Sequence, residues 1–147
     1  LYTVYGIPSV YYGSEFAIEG KKEQGSDWNL RPCLELSDYA DALQNNPVTA
    51  LCQKLGALKK EYTELSQGQY QELLLTNRQF AFGRVLDGKA VVTALNCDDN
   101  DAVLEIPMPV GATQALDLLE GVKKAELANG KLHVELSANS GTLIFLS

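Results

Sequence analysis

The stretch QFAFGRVLDGKAVVTALN, residues 79–96, reads as two strands and the turn that joins them. Phe80 and Phe82 alternate with Ala81 and Gly83, and Val91, Thr93 and Leu95 alternate with Val92 and Ala94. A period of two sends successive side chains to opposite faces of a sheet. Asp87-Gly88 between the runs is a two-residue hairpin turn, since both residue types accept the positive φ such turns need. The pattern recurs downstream. Leu132, Val134 and Leu136 alternate with His133 and Glu135 after a second turn, Asn129-Gly130, and Leu143 and Phe145 follow. About eight short strands fit into roughly 80 residues, the signature of an antiparallel sandwich or barrel.

Upstream the period changes. PVTALCQKLGALKKEY, 47–62, carries Val48, Leu51, Cys52, Leu55, Leu58 and Tyr62 at helical spacing. Asn46 is a good N-cap, Pro47 suits the first helical position, and Lys59 and Lys60 suit the last turn. Gly56 costs about 1 kcal/mol against Ala in a helix interior, which suggests a close packing contact there. Ser37 opens a short helix before DYADAL. Ser14 to Leu36 is a polar loop of more than about 15 residues, a length usually functional or disordered. Ahead of it stands GIPSVYYGSE, 6–15, apolar and aromatic, stopped by Gly13. It reads as a buried strand over 4–12, yet no strand precedes it. One strand and one amphipathic helix cannot close a core. Residues 1–66 are therefore expected to be the end of something larger, and 67–147 an all-β domain. The first residue is Leu and not Met, as expected of a piece cut from a longer protein, a start that tag removal or processing would equally give.

Hydrophobic residues make up 46 % of the 147 and charged ones 21 %, a globular composition. No apolar run reaches the ~20 residues of a membrane helix, and no signal peptide is visible. The net charge of −7 is spread evenly. Residues 1–66 hold 6 basic and 9 acidic side chains, and 67–147 hold 6 and 10. No basic stripe exists, so neither nucleic acid nor an anionic membrane surface is an expected partner. Cys33, Cys52 and Cys97 are an odd number at no metal spacing. Together with the lack of an Asn-x-Ser/Thr site, this favours free thiols and the cytoplasm.

GIPSVYYGSE closely resembles the segment that forms the eighth barrel strand in the α-amylase family of glycoside hydrolases (family 13). That family's Gly-x-Pro-x-x-Tyr-x-Gly-x-Glu run is followed by an acidic residue and, four positions on, an Arg. Here these are Asp27 and Arg31. Residues 47–62 resemble the last barrel helix, and 67–147 resemble the β-sandwich called domain C, with 79–96 similar to its hairpin. GSEFAIEGKKEQGSDWNLRP, 13–32, is most similar to the cyclomaltodextrinase, neopullulanase and maltogenic amylase branch. The resemblance implies a mainly β fold: an antiparallel domain C sandwich preceded by the last strand, loop and helix of a (β/α)8 barrel. It also implies an orphaned first strand, because a barrel needs ~200 residues or more. A parent acting on maltodextrins or cyclodextrins is expected, with an α-glucan oligosaccharide as partner and no cofactor or metal.

Retaining glycosidases need two carboxylates ~5–5.5 Å apart. In this family they come from strands four and five, with a third Asp from strand seven, and none of these strands is in the sequence. No catalytic residue is therefore assigned, and the chain alone is expected to be inactive. Glu19 and Glu23 read as solvated loop charges, and Glu15 as a buried hydrogen-bond partner. The resemblance makes Asp27 and Arg31 sugar-binding candidates, able to fork onto adjacent hydroxyls; a loop-shaping ion pair is the equal alternative. Trp28 either stacks on a sugar ring or anchors the loop, and average tryptophan burial favours the anchor. His133, the only histidine, faces outward by alternation. CDDND, 97–101, lacks the Gly and Glu of a calcium loop and reads as a hairpin turn.

Two other readings stay open. A starch-binding module would need paired exposed aromatics, and Tyr70, Phe80, Phe82 and Phe145 stand mostly at core-like positions. A transferase of the same family, such as a trehalose synthase or a branching enzyme, is not separated from a hydrolase by these residues. Finally, the unpaired strand and helix predict a homodimer of the chain through residues 1–60.

Overall fold

Alternation from Gln69 onward is realised as eight strands in the computed structural model, which describes residues 1–147. They are β1 (Gln69–Leu75), β2 (Gln79–Leu86), β3 (Lys89–Asn96), β4 (Ala102–Pro107), β5 (Ala115–Asp117), β6 (Lys124–Ala128), β7 (Lys131–Leu136) and β8 (Ser140–Leu146). Three helices precede them: α1 (Ala42–Asn45), α2 (Pro47–Glu61) and α3 (Thr63–Gln67). The chain divides into two units, one of Leu1–Tyr2 with Ile7–Leu58, the other of Thr3–Gly6 with Lys59–Ser147.

In the second unit all strand pairs are antiparallel. They build a five-stranded sheet, β1-β2-β3-β8-β5, and a three-stranded sheet, β4-β7-β6. The two-residue turns form as expected: Asp87-Gly88 has φ of 48° and 78°, and Asn129-Gly130 of 52° and 73°, the paired positive φ of a primed hairpin turn. Ala81, Val92, Ala94 and Ile144 from one sheet meet Leu104, Ile106, Leu132 and Val134 from the other in a single buried cluster. This is a sandwich core built from alternate residues.

The five-stranded sheet is apolar on its other face too. Phe82, Val91 and Leu143 have the opposite parity to the core residues and are also buried. Helix α3 lies against β2 and β3 there, and its Leu65 is fully buried. Arg84 shares this face at 0 % exposure. Its Nε and Nη2 donate to the Gly68 carbonyl at 3.1 and 2.8 Å, and its Nη1 donates to the Thr3 carbonyl at 3.2 Å. The Tyr5 ring lies 5.5 Å from the guanidinium. Burial pulls the Arg84 guanidinium below its usual pKa, with Tyr5 opposing.

Residues 97–101 are not a hairpin turn, because β3 and β4 belong to different sheets; they carry the chain across the sandwich. Asp98 accepts the Asn100 backbone N–H at 2.9 Å, and Asp101 accepts Ala138 N–H at 3.0 Å and pairs with Lys123. His133 is outward-facing but half-buried, in register with Glu105 on β4 and Glu126 on β6.

In the first unit, α2 starts as its sequence dictates. Asn46 Oδ1 accepts Val48 N–H at 2.9 Å and Thr49 N–H at 3.3 Å, a side-chain cap. Asn46 Nδ2 donates to the Phe16 carbonyl at 2.7 Å, and Thr49 Oγ1 donates to that of Glu15 at 2.6 Å. The helix start thus holds the short 3-10 turn Ser14–Phe16. Gly56 makes no close contact: a Cβ added there would find only Tyr2 Cε1, at 3.8 Å.

Two local expectations are corrected. Residues 4–12 form no strand. A strand exists only where a neighbour takes its backbone groups, and the first unit's sole strand pairing is an isolated Glu23–Ser26 bridge. The apolar run is consequently open, with Ile7 at 96 % exposure. Nor does Ser37 cap a helix. The segment forms a 3-10 turn, Leu36–Tyr39, and then the single turn of α1. No helix is long and apolar enough to cross a membrane, and the three cysteines are free.

Candidate functional site

The loop after Gly13 folds back through tight turns. Leu30 N–H donates to the Asp27 carbonyl at 3.0 Å and Arg31 N–H to the Trp28 carbonyl at 3.0 Å, closing a 3-10 turn over Trp28–Leu30. Ser26 Oγ accepts Trp28 N–H at 3.1 Å and fixes the entry to that turn. Gly20 lets the other limb of the loop come close. A Cβ there would lie 2.8 Å from the Asn29 carbonyl oxygen, a separation real side chains do not tolerate.

The result is a cavity of about 520 Å3 whose lining includes Tyr11, Tyr12, Asp27 and Arg31. A second cavity, of about 750 Å3, shares Tyr12 and Arg31 and adds Trp28, Lys21 and Cys33. The structure therefore brings Asp27 and Arg31 to one cavity and Arg31 and Trp28 to the next. Asp27 and Arg31 do not form the loop-shaping ion pair. Asp27 pairs instead with Lys22, at 3.2 Å and largely in solvent. Such a pair is worth about 0–1 kcal/mol, so it yields readily to a competing hydrogen-bond partner. Trp28 does not anchor the loop either: it is 80 % exposed. The 3-10 turn that carries it has no buried residue and leaves the indole in solvent.

Glu19 lines both cavities and is exposed. Glu23 serves through its backbone, in the bridge to Ser26. Glu15 is half-buried, and its Oε2 is enclosed without a hydrogen-bond partner.

Sequence reasoning missed Tyr11 and Tyr12 as site residues by treating them as strand core. Their rings lie 4.9 Å apart at 45°. Burial raises the Tyr12 phenol above its usual pKa, the Tyr11 hydroxyl adds to this, and Arg31 opposes it. Tyr12 is thus a neutral hydroxyl near pH 7. A signal was present: two aromatics directly before a Gly, at the point where an apolar run meets a long polar loop.

No family model matches the chain. It is 29 % identical over 119 residues to a cyclomaltodextrinase from Thermoanaerobacter pseudethanolicus. The match covers 81 % of the chain and 20 % of that enzyme, so the chain spans about a fifth of its curated relative. Among solved structures, a cyclomaltodextrinase superposes with a TM-score of 0.74 at 25 % identity, covering 99 % of this chain and 24 % of the other. The α-amylase of Geobacillus thermoleovorans, solved with acarbose, gives 0.80 at 20 % identity over 99 % of this chain and 31 % of its own. The resemblance to the C-terminal part of α-amylase-family enzymes, first seen in residues 6–15 and 79–96, thus holds in both sequence and fold.

Proposed function

We propose that the chain is the C-terminal part of an α-glucan-acting glycoside hydrolase, with maltodextrins or cyclodextrins as substrates of the longer protein. The similarity to a cyclomaltodextrinase over 81 % of the chain carries this reading. Residues 1–66 are then the end of the catalytic barrel and 67–147 its domain C, in a cytoplasmic enzyme.

The chain's share of the work is to form one edge of the substrate cleft. A pyranose ring offers a rim of hydroxyls and apolar C–H faces. Arg31 donates to the rim hydroxyls and Asp27 accepts from them, while Trp28 presents an open aromatic face. These contacts orient the sugar; they transfer no proton and form no bond. The pair of facing carboxylates that cleavage requires is assigned to the remainder of the barrel.

Titration calorimetry of the 147-residue chain with maltotriose and β-cyclodextrin tests the reading. Weak, millimolar-range binding is expected, abolished in Asp27→Ala/Arg31→Ala. Incubation with maltoheptaose is expected to release no reducing sugar. Binding that ignores both substitutions would remove the site, and hydrolysis that survives repurification would remove the division of labour. The binding-module reading is less well supported. In the aromatic row Tyr70–Phe82–Phe80, with 5.4 Å between successive rings, only Tyr70 is exposed.

The same reading covers assembly. Ile7, Val10, Leu43, Val48 and Leu51 of the first unit are exposed apolar side chains. Where the chain stands alone, they are proposed to associate two copies through residues 1–60.

A further inference from the structure

We propose that Thr3–Tyr5 is a releasable strap: Arg84 holds it on the second unit, Gly6 is its hinge, and while it is held the Thr3 carbonyl is withheld from strand pairing. The strap stands on this chain's own geometry. Its use, as a holding position for the last strand of the barrel, rests on the reading above. Thr3 is the only buried residue among the first twelve. It belongs with Lys59–Ser147, although Leu1–Tyr2 before it and Ile7 onward belong to the first unit. Its anchor is Arg84, 81 positions away, whose Nη1 donates to the Thr3 carbonyl at 3.2 Å.

The anchorage is slight. No backbone-to-backbone hydrogen bond ties Thr3–Gly6. The contact that accompanies the Arg84 bond is the Tyr5 ring, 5.5 Å from the guanidinium and otherwise open to solvent. Arg84 has two further bonds, both to the Gly68 carbonyl. The strap can therefore leave without stripping the buried cation of its partners. At the other end, Gly6 has φ of 113°, a backbone that L side chains rarely adopt, and no atom lies within 4 Å of where its Cβ would stand. A residue free of steric limits and free of neighbours is one about which the chain can swing. In a strand, carbonyls are taken by the N–H groups of adjacent strands. Arg84 occupies the Thr3 carbonyl, so the held strap competes with a paired strand for the same acceptor. A neighbouring strand that offers Thr3 a backbone N–H shifts the segment from one state to the other.

The experiment is limited chymotryptic digestion of the full 147-residue chain, read by mass spectrometry. The protease cuts after aromatic residues, and only in segments that are open to it. Tyr5, Tyr11 and Tyr12 are 77, 55 and 45 % exposed, so exposure alone would cut after Tyr5 first. The strap reverses that order. In the wild type, cleavage after Tyr5 is expected to be about tenfold slower than after Tyr11 or Tyr12, the protection that one hydrogen bond from a charged donor supplies. A wild type cut after Tyr5 as fast as after Tyr11 overturns the proposal with no variant needed. Arg84→Met should bring the Tyr5 cut level with the other two, while those two keep their wild-type rates. A Tyr5 cut that stays slow in Arg84→Met shows that Arg84 does not hold the strap. A variant that had unfolded would also be cut after Phe80 and Phe82, so those peptides are followed in the same digest; where they appear, the wild-type order alone decides. The digest involves no sugar. Titration with maltotriose can therefore fail with the strap intact, and the strap can fail with the cleft intact.

Discussion

Arg84 gives the Gly68 carbonyl oxygen two hydrogen bonds, from Nε at 3.1 Å and Nη2 at 2.8 Å, with no salt bridge to balance its charge. A buried guanidinium whose hydrogen bonds all go to backbone carbonyls is a polar clamp between β2, the segment after α3 and Thr3. Arg84→Ala would leave the Gly68 and Thr3 carbonyls unsatisfied, at about 1–3 kcal/mol each, and open a cavity. A loss of roughly 3–5 kcal/mol is expected by urea unfolding. Arg84→Met restores volume without donors and should lose about 2–3 kcal/mol. A change below about 1 kcal/mol for either would show the clamp to be idle.

Gly56, inside α2, and Gly68, which follows α3, should respond in opposite directions. At Gly68 a Cβ would stand 2.5 Å from the Glu64 carbonyl oxygen and 3.0 Å from the Arg84 and Val85 backbone. All three are main-chain atoms with little room to yield, so Gly68→Ala should cost about 1–3 kcal/mol of strain. At Gly56, in the middle of α2, nothing comes closer than 3.8 Å. Gly56→Ala should therefore gain about 0.5–1 kcal/mol from helix propensity and a less flexible unfolded chain. Thermal unfolding of both variants checks the pair, and a shift of the same sign in both would refute the argument.

Asp117 on β5 makes stability depend on pH. Burial alone would raise its carboxyl. Thr142, whose hydroxyl donates to it, and the N–H groups of Val122, Leu119 and Gly121 outweigh this and hold it below the usual carboxylate range. A depressed folded-state pKa means stability that is present above the unfolded value, near pH 4, and lost as pH falls through the folded value. Asp117→Asn should cost about 1.5–3 kcal/mol at pH 7, and less at pH 3, below the unfolded value, where the wild type has lost part of the same contribution. Urea unfolding at the two pH values reads this directly; an equal gap at both would refute it.

Self-association is expected to follow the exposed apolar side chains of the first unit. Light scattering at micromolar concentration should find a dimer for the wild type and a monomer for Ile7→Asp/Leu51→Asp. Ile7 and Leu51 are exposed, at 96 % and 47 %, so the substitutions cost the fold little. A monomeric wild type, or a variant that still dimerises, sinks the proposal.

How much of this was written in the residues depends on how local the cause is. The hairpin of β2 and β3 was legible because Asp87-Gly88 and the alternation around it act over a few residues. The cap at Asn46 was legible for the same reason. The state of residues 4–12 was not, since β-branched and aromatic residues declare a capacity for strand but not the neighbour that completes one. Arg84 was hidden by the same non-locality. A charged residue at a strand position opposite the core parity reads as solvent-facing, and only α3, folding over that face, buries it. In the loop, Asp27 and Arg31 were named by the resemblance alone, and both line one cavity. Average tryptophan burial misjudged Trp28, because a residue type's mean says nothing of a short turn with no core beneath it.

The position of β8 carries a consequence in time. Its residues, Ser140–Leu146, insert between β3 and β5, so Ala90 near the start of β3 waits for Leu146 as its partner. The β2–β3 hairpin can zip as soon as it is made, but the five-stranded sheet stays open along β3 until β8 has been synthesised. Pairings so distant in sequence are slow to find, and an unpaired edge invites strangers in the interval. During synthesis this half of the chain must therefore pass through a stage with β3 bare on one side, and that interval is when the nascent sheet is most open to wrong partners.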